Sequence, residues 1–295
     1  MKLITYGKDG EELVGVLTKC GENIIPLKAN GFNYNSMNHL IEEISKEEMD
    51  KLNSLVSTGE GVEKTPVSSI QILAPIPQPK QDIICLGINY MEHAVESVRY
   101  KKEAFDGDRK DPVYFSKRVN RASADGEDIP SHSDIISTLD YEAELGVIIG
   151  KDACNVKKED AFDYVFGYTI INDVTARELQ TKHKQWYFGK GLDGFTPMGP
   201  VIVTADEISA PPVLTIKSWV NGELRQNSKT NLFIHDIPYM INELSQGMTL
   251  KAGTIIATGT PAGVGMGFVP PKFLVSGDVV ECEIEGIGKI SNKVK

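Results

Sequence analysis

The chain has 295 residues, 41% of them apolar and 24% charged, with a formal net charge of −10 at pH 7. That is the composition of a globular protein with one large domain, alone or with a small appendage, and its acidity excludes a surface built to neutralise many phosphates, so no nucleic-acid partner is expected. No apolar run reaches the ~18 residues that cross a bilayer, the start MKLITYGKDGEEL turns charged too early for a secretory signal, and the four cysteines (Cys20, Cys85, Cys154, Cys282) form no CxxC pair. No membrane partner, zinc ribbon or disulfide framework is therefore expected, and the expected location is cytoplasmic.

Residues 1–70 read as a small N-terminal α+β unit. Strands are expected over Lys2–Tyr6, Leu13–Leu17 and Asn23–Pro26, joined by polar turns. A helix follows around Ser36–Leu55, where Met37, Leu40, Ile41 and Ile44 stand at helical spacing. The proline-rich stretch APIPQPKQ (74–81) fits neither a helix interior nor a central strand, which places the boundary near residue 70.

Residues 71–295 carry mostly short strands: Asp82–Leu86, Val113–Phe115, Glu142–Ile149, Phe166–Ile171, Val201–Val203, Leu214–Val220, Ile255–Thr258, Val279–Glu285 and Gly288–Val294. Helices are few, at Tyr90–Val98, Lys158–Ala161, Thr175–Thr181 and Ile237–Ser245. Short strands with glycine and proline turns imply a β-rich α+β barrel or roll rather than a doubly wound sheet.

Chemistry concentrates in three stretches. In DYEAELGVIIG (140–150), side-chain alternation along a strand puts Glu142 and Glu144 on one face, their Cα atoms about 6.5 Å apart. Two carboxylates that close repel, and one is driven to keep its proton unless a cation lies between them. A solvated edge strand is the alternative, but the apolar run after Glu144 argues against exposure. In YTIINDVTARELQ (168–180), Asp173 ends a strand. Thr175 and Glu178 have capping-box spacing, which frees Asp173 from capping the next helix. Glu142, Glu144 and Asp173 together offer only oxygen, a set suited to Mg²⁺, with Mn²⁺ or Ca²⁺ as alternatives, and not to zinc.

The third stretch is GINYMEHAVES (87–97), where His93 and Glu96 share a helix face at i and i+3. A carboxylate beside an imidazole fixes its tautomer and suits it to general-base work, the alternative being a surface ion pair. The charged run YKKEAFDGDRKD (100–111) reads as a solvated loop or a lid. Two glycine-rich stretches complete the set. GTPAGVGMG (259–267) lacks the GK[ST] of a P-loop and offers backbone amides to a small anion, while GKGLDGFTPMGP (189–200) puts Lys190 in a loop, placed to meet a substrate carboxylate.

From Asp82 to Val294 these segments, in order, resemble the fumarylacetoacetate hydrolase family: GINYMEHAVE, PVYFSK, DYEAELGVIIGK, GYTIINDVTARELQ, QWYFGKGLDGFTPMGP, VNGELRQ, TGTPAGVG and GFVPPKFLVSGDVVECEIEGIGKISN. The N-terminal unit resembles the small extra domain of longer members. The resemblance implies a rolled mixed β-sheet around a divalent metal, in a homodimer. It implies Glu142, Glu144 and Asp173 as metal ligands, and His93 with Glu96 as a base dyad on a lid. It also implies Arg177, Gln180, Lys190 and Thr260 as contacts for a small 2-oxo acid. Gly191 and Gly194 stand where many relatives carry serine and threonine, a departure bearing on the substrate. RVNRASADGEDIP (118–130) is also less typical of the family.

The expected activity is carbon–carbon hydrolysis or lysis of an acylpyruvate or another 2,4-diketo acid. The dyad would activate water, and the cation with Lys190 would stabilise the enolate that leaves. Decarboxylation of oxaloacetate-type substrates and isomerisation of 2-hydroxymuconate-type dienes are alternatives on the same site. A non-catalytic metal-binding scaffold is a further alternative. A glycosidase is excluded, because Glu142 and Glu144 on one strand do not flank a glycosidic bond from opposite sides.

Overall fold

The structure is a computed structural model and describes residues 1–59, 61–101 and 110–295. Most of the stretch read as a lid, 100–111, lies outside the described residues. The N-terminal stretch supplies β1 (Lys2–Lys8), β2 (Glu11–Leu17), β3 (Asn23–Pro26), α1 (Met37–Glu43), α2 (Lys46–Thr58) and β4 (Thr65–Pro66), with β5 (Gln71–Leu73) just after it. There follow β6 (Ile83–Gly87), α3 (Met91–Lys101), β7 (Val113–Lys117), β8 (Leu139–Asp140), β9 (Ala143–Ile149) and β10 (Val165–Asn172). Next come β11 (Thr175–Ala176), α4 (Arg177–Lys182), α5 (Tyr187–Lys190), β12 (Met198–Thr204), β13 (Thr215–Val220) and β14 (Glu223–Lys229). The chain closes with α6 (Ile237–Ser245), β15 (Ile255–Ala257), β16 (Val279–Ile284) and β17 (Gly288–Lys293).

The fold is α+β and β-rich. One large sheet runs β4-β3-β2-β1-β12-β10-β9-β15-β6-β7, with β5 also on β1, and a four-stranded sheet runs β14-β13-β16-β17. The large sheet is mixed, because β15 pairs with β6 in parallel while β9 and β10 run antiparallel. Since β1 hydrogen-bonds to β12 through Lys2↔Val203 and Leu3↔Ile202, the sheet crosses the boundary expected near residue 70. None of the described helices is long and apolar enough to cross a membrane.

Strand β9 sits inside the large sheet between β10 and β15, and every one of its residues is buried. Leu145, Val147 and Ile149 enter the apolar core shared with Ile216, Ile284 and Ile290 of the four-stranded sheet. Ile148 enters a second core with Cys85, Ile171 and the α1 residues Leu40 and Ile41. Alternation therefore puts Glu144 on the Ile148 side. Gly146, between them, has no room for a side chain, since a Cβ there would lie 2.9 Å from Ile171 Cδ1.

Two local expectations are corrected, and one strand, β14, is found where none was expected. The helix expected over Ser36–Leu55 is two helices, because Ser36 caps α1 and Ser45 starts α2 with a full capping box to Glu48. The Thr175–Glu178 capping box does not form. Thr175 lies in β11, pairs with Asp140 of β8 and donates its hydroxyl to Asp173 O, while the Glu178 amide is satisfied by Thr138 Oγ1. Strand β14 carries no alternating apolar signal because it is a sheet edge on which only Gln226 is fully buried. Replacing Ser45 with alanine removes the α2 cap and is expected to cost about 1 kcal/mol, read as a lower denaturant midpoint at unchanged slope.

Candidate metal centre and active site

Glu142, Glu144 and Asp173 are all buried, and each offers one oxygen to a set whose members lie within 4.8 Å of one another. Backbone pairing brings them together. The Asp173 amide donates to Glu142 O at 2.8 Å, and the Glu142 amide donates to Asn172 Oδ1 at 3.0 Å. The end of β10 is thereby fastened to the start of β9.

Cations and amides surround the three carboxylates. Glu142 Oε1 pairs with Arg177 Nη1 at 2.7 Å, and Glu142 Oε2 with Lys190 Nζ at 2.7 Å. Lys190 Nζ also meets Asp173 Oδ2 at 2.6 Å, while Asp173 Oδ1 lies 2.8 Å from Lys117 Nζ. Glu144 Oε2 accepts the Gly259 amide at 2.8 Å. Burial alone would raise the Glu142 carboxyl, but Lys190 and Arg177 hold it down at about 2. Glu144 has no such cation in contact; burial first, then Asp173 and Glu142, push its carboxyl well above the usual range. Lys190 was expected in a loop and is instead the buried last residue of α5. Burial would lower its ammonium, yet Asp173 and Glu142 hold it above the ordinary lysine value.

An all-oxygen set with one carboxylate driven toward its neutral form fits a hard divalent cation, whose charge would offset the mutual repulsion. The triad therefore suits a hard divalent cation and lacks the nitrogen or sulfur that zinc prefers.

His93 and Glu96, both buried on α3, form a pair through Nδ1 and Oε2 at 2.8 Å. Glu96 Oε1 accepts the Gly263 amide at 3.0 Å. Gly267 makes room for this carboxylate, since a Cβ there would fall 1.8 Å from Glu96 Oε1. One cavity is lined by His93, Glu142, Glu144, Arg177, Gln180, Lys190 and Thr260, together with Leu86, Ile88, Phe115, Trp186 and Met266. Ile88 takes φ 59°, a left-handed conformation rare for a β-branched residue and typical of strained functional turns.

The glycine-rich stretch 259–267 does present amides to anions, and they are the chain's own carboxylates. Gly259 serves Glu144, Gly263 serves Glu96, and Gly265 with Met266 serves Asp140. Asp140 also receives Arg177 Nε at 2.8 Å, and Arg177 Nη1 donates to Gln180 Oε1. Thr260 donates to Ala143 O and accepts from Gln226 Nε2. Asp140, Lys117 and Gln226 had not been singled out from the sequence. Gly194 has φ 79°, and a Cβ there would lie 2.3 Å from Pro130 Cδ, so backbone shape requires glycine at this departure from the family pattern.

The raised Glu144 carboxyl gives a pH dependence with a defined sign. The bare site keeps a proton above the normal carboxylate range, and a cation must displace it. Divalent-ion affinity is therefore expected to rise with pH, by up to about tenfold per unit while that proton is bound. Calorimetric titrations in buffers of different ionisation enthalpy check this; uptake without proton release contradicts it.

A family model for the fumarylacetoacetate (FAA) hydrolase C-terminal region matches residues 82–295. The oxaloacetate tautomerase YisK of Bacillus subtilis (strain 168) is 44% identical over 276 residues, covering 92% of this chain and 86% of that protein. The fumarylacetoacetate hydrolase structure from psychrophilic Exiguobacterium antarcticum superposes with a TM-score of 0.84 at 38% identity, over 100% of this chain and 99% of that one. A maleylpyruvate hydrolase from Sphingobium sp. SYK-6, in complex with manganese (II) ion and pyruvate, gives a TM-score of 0.78 at 29% identity, over 100% and 98%. With these likenesses running from Asp82 to the last residue and through every element that frames the triad, the chain belongs to the fumarylacetoacetate hydrolase family.

Proposed function

We propose that this chain is a divalent-cation-dependent enzyme that moves a proton at the carbon beside the 2-oxo group of a small oxo acid. Its leading reaction in this reading is keto–enol tautomerisation of oxaloacetate. The observation that carries the reading is one cavity lined by His93, whose ring is paired with Glu96, and by Glu142 and Glu144, which form a triad with Asp173. The 44% identity to an oxaloacetate tautomerase supports the choice of reaction.

Glu142, Glu144 and Asp173 would hold the cation, magnesium or manganese. When bound, it supplies Lewis acidity toward the 2-oxo oxygen. Lys190 and Arg177 add fixed positive charge to a buried cavity, where it acts strongly on a substrate carboxylate and on developing enolate charge. Glu96 on Nδ1 fixes the His93 tautomer and leaves Nε2 as the acceptor. His93 Nε2 then takes a proton from C3. The C3–H bond breaks, its electron pair forms the C2–C3 double bond, the carbonyl π pair moves onto the 2-oxo oxygen, and the imidazolium returns the proton to that oxygen, giving the enol and neutral His93. Leu86, Phe115 and Met266 limit water around the exchanging proton.

A second reading is hydrolysis of an acylpyruvate, with the same histidine taking its proton from water. The likeness to a maleylpyruvate hydrolase favours it. Oxaloacetate-type decarboxylation and 2-hydroxymuconate-type isomerisation share the enolate and rank below these two.

The test follows the enol absorbance of oxaloacetate and pyruvate release from oxaloacetate and acylpyruvates, with Mg²⁺ or Mn²⁺ present. His93→Ala is expected to slow catalysed tautomerisation by roughly 10²–10⁴-fold while cation binding persists. Acylpyruvate cleavage outrunning tautomerisation would replace the leading reaction by the second reading, and silence on every substrate would leave a scaffold.

A further inference from the structure

A lysine deep in a protein pays a desolvation penalty unless it is fully paired, and Lys117 at the end of β7 has 0% of its surface exposed. Its ammonium lies 2.8 Å from Asp173 Oδ1 and donates to Val174 O at 3.0 Å and Lys190 O at 2.5 Å. Two hydrogen bonds to backbone carbonyls and one ion pair to Asp173 hold the ammonium inside the protein, away from the cavity lining.

The same arrangement recurs on the other two acids. Glu142 Oε1 is tied by Arg177 Nη1, and Glu144 Oε2 by the Gly259 amide. One oxygen of each carboxylate thus faces a fixed group of the protein, an ion-paired ammonium for Asp173, a guanidinium for Glu142 and an amide for Glu144. Lys190 touches Glu142 Oε2 and Asp173 Oδ2, but a carboxylate oxygen carries two acceptor directions, so one remains on each.

We propose that Lys117 is a positioning residue that keeps Asp173 to a single coordinating oxygen and so sets the triad for a small octahedral cation. Mg²⁺ and Mn²⁺ take single oxygens in octahedral array, whereas Ca²⁺ takes six to eight oxygens and accepts chelating carboxylates. Lys117 makes the discrimination by occupying the side of Asp173 that chelation needs. It also fastens the Lys190 carbonyl to Asp173, fixing where α5 ends relative to β10. This inference rests on the divalent-cation reading of the site.

The experiment titrates Mn²⁺ and Ca²⁺ into the full chain by calorimetry, for the wild type and for Lys117→Met and Lys117→Gln, with thermal melts to establish folding. The wild type is expected to bind Mn²⁺ at least about tenfold more tightly than Ca²⁺. Either folded variant should lose roughly 10–100-fold in Mn²⁺ affinity and little in Ca²⁺ affinity, so the ratio collapses. A purely structural lysine would lower the melting temperature and weaken both ions by one factor; an unchanged ratio overturns the proposal. If neither variant folds, wild-type protein that holds Ca²⁺ as tightly as Mn²⁺ overturns it. Wild-type protein that binds neither ion removes the cation reading itself, a failure distinct from an unchanged ratio.

Discussion

Three buried carboxylates, each with an oxygen within 4.8 Å of the others, are the constraint that the surrounding structure answers. At that separation each charged pair repels by roughly 3–4 kcal/mol, even at an effective dielectric of about 20. The fold meets the repulsion from several directions at once. Lys117 comes from β7, Arg177 from α4, Lys190 from α5, and the Gly259 amide from the turn after β15. The compensation is uneven. Glu142 touches two cations and is held acidic; Glu144 accepts the Gly259 amide and is driven toward its neutral form. That asymmetry singles out Glu144 as the acid whose charge the surrounding cations compensate least.

The sheet is what makes such crowding possible. Because β9 is buried on both faces and Glu142, just before it, is buried as well, neither glutamate can turn away to solvent. The cross-link from the Asp173 amide to Glu142 O then sets the third acid beside the first two. A loop-borne cluster would relax by moving apart. This one is fastened by strand register, the antiparallel pairing of Ile171 with Glu144 and Asn172 with Ala143.

What the sequence revealed follows from the range of each interaction. The Glu142/Glu144 pair was legible because strand alternation is a two-residue pattern, and His93–Glu96 because helix spacing is a three-residue one. Asp173 was found by an argument whose details do not hold. The capping box that was to release it is absent, and β11 pairing with β8 settles the local backbone instead. Lys190 was legible as a cation but not as a helix end, since four residues carry too little periodicity to announce α5. Lys117, Asp140 and Gln226 were missed for one reason. Their partners lie far along the chain: Asp173 for Lys117, Gly265 and Met266 for Asp140, Thr260 for Gln226. No local pattern encodes a lysine that is buried because an aspartate 56 positions on requires it. In the same way, the 259–267 stretch could be read as an anion cradle, but not as one for the protein's own acids.

That last stretch ties the two halves of the chemistry together. Glu96 gives one oxygen to His93 and the other to the Gly263 amide, so the orientation of the imidazole is fixed by the same segment that holds Glu144 through Gly259. Two residues further on, Gly265 and Met266 hold Asp140, which in turn holds Arg177. A displacement of this turn would therefore shift the imidazole, one acid of the triad and the guanidinium together. The separation between the acids and the imidazole is set by backbone amides of a single turn, which do not titrate and have no rotamers to change. Glycine at 263 and 267 follows directly: a Cβ at either position would collide with Arg225 O or with the Glu96 carboxylate, the groups whose close approach keeps the turn in place.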